Sequence, residues 1–226
     1  MGKTSVATHT WKIHSFDDVK RLWGSVREVP MRTQGREHLH EERYCLGLYL
    51  LALGTHGLLT YPFQVEQGES PDFMFKWPAG EVTGLEVTRA TTQEAQRAMT
   101  QDQGEYLRRE AASKSSGQSP EPVSRLGRLG GWIGDEADVQ CGVLFKEAIE
   151  KKLAKLPGFR PSSRHDLVIS DDTPLPADRR KAVETLRPWV RSLDATAVKL
   201  GKISLIISLD VVFDLAVSTR LLPYIE

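Results

Sequence analysis

The sequence predicts an α/β fold, a mixed β-sheet flanked by helices. The expected elements run helix, three strands, helices, strand, helix, strand, an order that suits layers of helix on a sheet. Residues 202–208 form an apolar, β-branched run of the kind found in a strand buried on both faces. Residues 72–88 alternate with a period of two around a Pro-Ala-Gly turn, which is the pattern of a hairpin. At 226 residues the chain suits one domain over residues 1–226 and is long enough to bury a full core.

The first ten residues read as a flexible tail. Ser15 is an N-cap candidate for a helix running to about Trp23. The strongest helix covers residues 36–54, with Leu46, Tyr49, Leu50 and Leu53 at helical spacing and Gly54 and Gly57 at its end. Residues 58–66 read as a strand with Tyr61, Phe63 and Val65 on one face. The hairpin follows. Its first strand opens at Asp72 and carries Phe73, Phe75 and Trp77 on one face; Pro78-Ala79-Gly80 makes the turn. A polar helix is expected over residues 91–114. Residues 113–135, rich in Ser, Gly and Pro, read as a mobile loop. Further helices are expected over residues 138–156 and 178–194. Leu167-Val168-Ile169 lies in a strand, and residues 211–217 make a last strand or short helix.

Apolar residues make up 40% and charged residues 27% of the chain, ordinary values for a globular protein. Lys plus Arg (30) equals Asp plus Glu (30), so no global basic field draws the chain to a polyanion. Cys45 and Cys141 fall in apolar helical patterns, as buried thiols do in a reducing compartment. The polar start carries no secretory signal, and residues 46–59, the most apolar stretch, are too short to span a bilayer. The expected location is cytoplasmic.

Chemistry concentrates in the hairpin. A turn centred on Ala79 sets Asp72 across from Glu86, where cross-strand Cβ atoms lie about 4.5–5.5 Å apart. Two ionised acids at that distance repel each other unless a cation sits between them, and carboxylates are Mg2+ ligands. On the preceding helix, Glu42 heads the apolar stripe and Glu41 lies beside it.

Pro71-Asp72, followed by Glu86-x-Thr88 and preceded by a helix with acids, resembles the PD-(D/E)xK nuclease superfamily. The resemblance covers residues 36–90 best and later elements by order alone. It implies a restriction-endonuclease-like mixed sheet and hydrolysis of phosphodiester bonds in nucleic acid with Mg2+ or Mn2+. It assigns Asp72 and Glu86 as metal ligands, with the Val87 carbonyl as a third, and Glu42 as the supplementary acid ahead of Glu41. Thr88 stands where the family has a catalytic lysine, and threonine supplies no positive charge. Either the ion alone activates water, or a lysine from elsewhere reaches the site, or the chain is a catalytically inactive binding or assembly module. A small-molecule hydrolase using the same acids is a third kind of reading.

The candidate lysines are ranked from the sequence. Lys76 shares the face of Asp72 but lies roughly 13 Å away along an extended strand. Lys146 flanks an expected apolar stripe of Val139, Val143, Ile149 and Leu153 and is preferred; Lys152 flanks its other side. Glu69, Gln93 and Gln96 are lesser polar candidates. The six histidines form no metal set: His38 and His40 diverge on a helix, and His165-Asp166 reads as a loop pair ahead of a strand. No Gly-x-Ser-x-Gly or complete P-loop is present. Arg108-Arg109, Arg125 with Arg128, Lys151-Lys152 with Lys155, and Arg179-Arg180-Lys181 are the local basic clusters.

Overall fold

A computed structural model describes residues 9–30, 35, 37–91, 134–171, 175, 177–193, 200–207 and 211–214. The expected polar helix after Thr91, Gln93, Gln96, Arg108-Arg109, Arg125, Arg128 and nearly all of the 113–135 loop lie outside the described residues.

The elements are β1 (Thr10–Ile13), α1 (Phe16–Val26), α2 (His38–Thr55), β2 (Phe63–Gln67), β3 (Phe73–Lys76), β4 (Val82–Ala90), α3 (Glu136–Leu153), β5 (Arg164–Asp171), α4 (Arg179–Ser192), β6 (Leu200–Ile207) and β7 (Val211–Asp214). The strands form one mixed sheet in chain order, β1 to β7. β4, β5 and β6 are parallel neighbours and the other pairs are antiparallel.

Side chains alternate across the strands, so each strand feeds two cores. Phe73, Phe75, Leu85, Val87, Val168 and Ile206 pack with α1 and α2 on one face. Leu167, Ile169, Ile203 and Leu205 pack with Phe145 and Ile149 of α3 and with α4 on the other. The result is an α/β sandwich with the sheet as its middle layer.

Several expectations are corrected. Thr10, expected in the N-terminal tail, instead starts β1, an edge strand paired to β2. β2 begins at Phe63, later than residue 58. α2 is buried well beyond its four-residue stripe, from Cys45 through Leu50 and again at Ala52 and Leu53, because α1 covers the side that the sheet does not. Residues 211–214 resolve as strand.

Local signals hold at the helix starts. The amide of Ser15 donates to Asp18 Oδ2 at 3.0 Å, and Asp178 caps α4 by accepting from the Arg180 amide at 2.9 Å. Among the described residues no helix is long and apolar enough to cross a membrane.

Candidate metal and phosphate site

The hairpin sets the site's geometry. Phe75 pairs with Thr83 and Phe73 with Leu85, so the ladder is centred on Ala79. Gly80 holds φ at 82°, a left-handed conformation that costs glycine little, and its amide donates to the Trp77 carbonyl at 3.0 Å. Phe63, Phe75 and Trp77 stack along one face and fix the register by cross-strand packing. Asp72 lies one residue before β3, and the same register carries it to the position opposite Glu86.

The turn that presents Asp72 is braced from three sides. The Gly68 amide donates to the Asp72 carbonyl at 2.8 Å, and the Arg160 amide donates to the Ser70 carbonyl at 3.2 Å. Gly84 leaves room for its neighbours: a Cβ there would lie 2.6 Å from His165 Nδ1 and 2.9 Å from Pro71 Cγ. The His165 ring and Pro71 therefore fill the space that a side chain at position 84 would occupy.

Asp72 and Glu86 are both buried. Asp72 Oδ2 accepts from the Val87 amide at 2.7 Å. Lys152, from α3, donates to Glu86 Oε2, and its Nζ lies 3.7 Å from Asp72 Oδ2. One ammonium therefore serves both acids. Burial, and then the negative charge of Asp72, push the Glu86 carboxyl up to about 7 against the opposing pull of Lys152.

Glu42 is buried on α2, with Oε1 2.8 Å from His38 Nδ1. Burial and the charge of Asp72 raise its pKa, while His38 and Lys152 pull it down. Glu42 thus lies within electrostatic reach of the Asp72–Lys152 pair. Glu41 is engaged differently: its Oε2 lies 2.6 Å from Arg89 Nη1. Thr88 is half-buried in β4, next to Ile169 of β5.

The lysine ranking is overturned. Lys146 lies 3.7 Å from Glu150 and over the Trp189 ring, and Lys76 pairs with Glu66 at 2.5 Å. The cause is the stripe. Val139 and Val143 are exposed, whereas Cys141, Phe145, Ala148 and Ile149 are buried. Continued by three and four residues, the true stripe from Phe145 through Ala148 and Ile149 leads to Lys152. That spacing was the signal available in the sequence.

Other expectations are also corrected. His165 and Asp166 lie inside β5 and are buried; Asp166 Oδ1 accepts from the Lys202 amide at 2.9 Å, and His165 Nε2 lies 3.1 Å from Ser162 Oγ. The 179–181 cluster is partly spent on the fold: Arg179 binds Asp171 at 2.6 Å, and Lys181 lies 3.3 Å from Asp135. Lys151 and Lys155 remain exposed beside the inward Lys152. Glu69 is exposed, and Cys45 and Cys141 are buried free thiols.

Among the described residues no group of three or more His, Cys, Asp and Glu side chains gathers as a metal cluster. The donor chemistry of the pair nevertheless fits a hard divalent cation. Mg2+ commonly binds through one or two carboxylates and keeps several waters. Because the N–H and C=O of one strand residue leave the backbone on the same side, the Val87 carbonyl faces the edge where Asp72 meets the Val87 amide. Compared with protein-family models, curated protein sequences and solved structures, the chain matches none.

Proposed function

We propose that this chain is a nuclease that hydrolyses phosphodiester bonds of nucleic acid with Mg2+ or Mn2+, on a restriction-endonuclease-like fold. The observation that carries the reading is the ammonium of Lys152 beside Asp72 and Glu86. It restores from α3 the positive charge that Thr88 lacks.

Asp72, Glu86 and the Val87 carbonyl would hold the cation. When bound, the ion supplies activation of a water molecule and offsets charge on the leaving oxygen. The residues around it have separate tasks. Glu86 must give up its proton to act as a ligand, and the approach of a cation favours that form. Lys152 holds a fixed positive charge where negative charge develops on the phosphoryl oxygens. Glu42, oriented by His38, adds a carboxylate at the rim for a water or a proton. The Asp72 carboxylate is fixed by the Val87 amide, so little reorganisation is needed.

A second reading, a catalytically inactive nuclease-fold binding or assembly module, is favoured by the same ion pair. Lys152 already compensates both acids, so the fold does not require a metal. Cleavage and titration distinguish the two. The purified chain should nick DNA or RNA with Mn2+ or Mg2+, and a chelator should stop it. Asp72→Ala and Glu86→Ala should each abolish cleavage and weaken Mn2+ binding measured by calorimetry. A wild-type chain that binds no Mn2+ and cuts neither polymer overturns the nuclease reading.

A further inference from the structure

We infer that the last turn of α3 and the loop after it form a phosphate track, in which Lys155 and Arg160 hold backbone phosphates flanking the one at Asp72 and Glu86. The inference rests on the nuclease reading for its choice of polymer, and it names how a chain without net charge grips its substrate.

The sequence sets this stretch apart. Between Glu150 and Asp166 stand Lys151, Lys152, Lys155, Arg160 and Arg164, and no acid. With 30 basic and 30 acidic residues in the whole chain, attraction to a polyanion must come from such a local excess. Two of the five cations are engaged. Lys152 serves Asp72 and Glu86, and Arg164 lies 3.3 Å from Asp166 and 3.8 Å from Glu81. Lys155 and Arg160 are exposed, and among the described residues their side chains have no hydrogen-bond or ion-pair partner.

The fold brings both to the carboxylate site, on the face where Lys152 reaches it. Leu85 and Val87 belong to the core against α2, so Glu86 faces α3. The Lys155 amide donates to the Lys152 carbonyl at 3.0 Å, which puts Lys155 one turn beyond the ammonium at the acids. The chain then turns through Leu156–Gly158 and returns to the hairpin. There the Arg160 amide donates to the carbonyl of Ser70, two residues before Asp72, and the Ser163 amide donates to the Val82 carbonyl at 2.8 Å. The Phe159 ring packs on that of His165 at 5.6 Å, so the loop is held on both sides of Arg160.

The Arg160 charge lies over the same face. Phe63 and Val65 point to the α2 core, so Glu66 points to the other side, opposite Met74 and one strand step of about 7 Å from Asp72. The Glu66 carboxyl is held below its ordinary value by the hydrogen bond from Lys76, with the charge of Arg160 as the smallest contribution. The competing role is structural, since cations favour the C-terminal end of a helix. That role acts within the last turn and does not extend to Arg160, because α3 ends at Leu153.

The test is binding of the full chain to short DNA and RNA oligonucleotides of several sequences, across a series of salt concentrations. Ca2+ replaces Mg2+ to hold back cleavage, and cleavage with Mn2+ is measured in parallel. Lys155→Gln combined with Arg160→Gln should weaken binding by about tenfold or more, equally for every sequence, because phosphate contacts carry no sequence information. The salt slope should fall by about 1.4 on single strands and about 1.8 on duplex, the loss of two contacts. In cleavage the loss should appear in KM rather than in kcat. Lys155→Arg combined with Arg160→Lys keeps both charges and should keep most of the slope. Lys20→Gln, the same loss of charge on α1, should leave binding unchanged. If the two cations serve only the fold, the double Gln variant loses stability to urea with affinity and salt slope intact. That result overturns the inference and leaves the nuclease reading standing. Binding with the expected slopes but no cleavage under either metal keeps the track and removes the nuclease reading. A wild-type chain that neither binds nor cuts any oligonucleotide removes both.

Discussion

Lys152 of α3 and Glu86 of β4 form a partly buried ion pair across 66 positions of the chain. A carboxylate buried near Asp72 repels it, and an ammonium placed against both relieves that repulsion. The same ammonium stands where a phosphoryl-transfer site needs positive charge. Lys152 is thus the residue on which stability and the proposed chemistry both depend.

Lys152→Met should lower cleavage by about 100- to 1,000-fold, the range seen when one preorganised electrostatic partner is removed. Thr88→Lys in that background should recover part of the loss, because it offers an ammonium from β4 in place of α3. Lys146→Ala should be silent. Single-turnover cleavage measures all three, and equal rates for wild type and Lys152→Met would remove Lys152 from the mechanism.

The Glu86 carboxyl has an ordinary value of 4.5 and is pushed up to about 7 in the fold. A raised folded value means that the folded state holds the proton more tightly than the unfolded chain. This contribution to stability is fully present below about pH 4.5 and is lost as pH rises through about 7. Glu86→Gln cannot ionise, so its stability relative to wild type should be greater at pH 8 than at pH 5, by about 1–3 kcal/mol. Added Mn2+ should stabilise the wild type at pH 8 and leave Glu86→Gln nearly unmoved. Urea denaturation at the two pH values reads both effects.

The stripe on α3 can be tested by truncation. Phe145 is fully buried against the sheet, so Phe145→Ala should cost about 3–5 kcal/mol and loosen the seat of Lys152. Val143 is 47% exposed, and Val143→Ala should stay within about 0.5 kcal/mol of wild type. The reverse ranking in urea denaturation would mean that α3 packs by its other face.

The hairpin was legible because its determinants are local. Alternation with a period of two and one turn glycine fix the pairing of residues 73–76 with 82–85, and the same register sets Asp72 opposite Glu86. The starts of α1 and α4 were legible for the same reason, since a cap acts on amides within a few positions. The two carboxylates could therefore be singled out before any long-range contact was known.

Which cation serves them was decided only in three dimensions. A helix of 3.6 residues per turn offers more than one apolar stripe, and α3 carries two: Val139 with Val143, and Phe145 with Ile149. Only packing against the sheet selects the second and turns Lys152 inward. β1 likewise exists because β2 offers it a ladder, and the all-round burial of α2 exists because α1 crosses it. His165 and Asp166 became buried strand residues because β4 and β6 flank them on either side. Local propensity and spacing determined most of the elements and the acids of the site. The choice among faces, and with it the pairings of Lys152 and Arg89, was settled by burial of apolar surface between segments far apart in the chain.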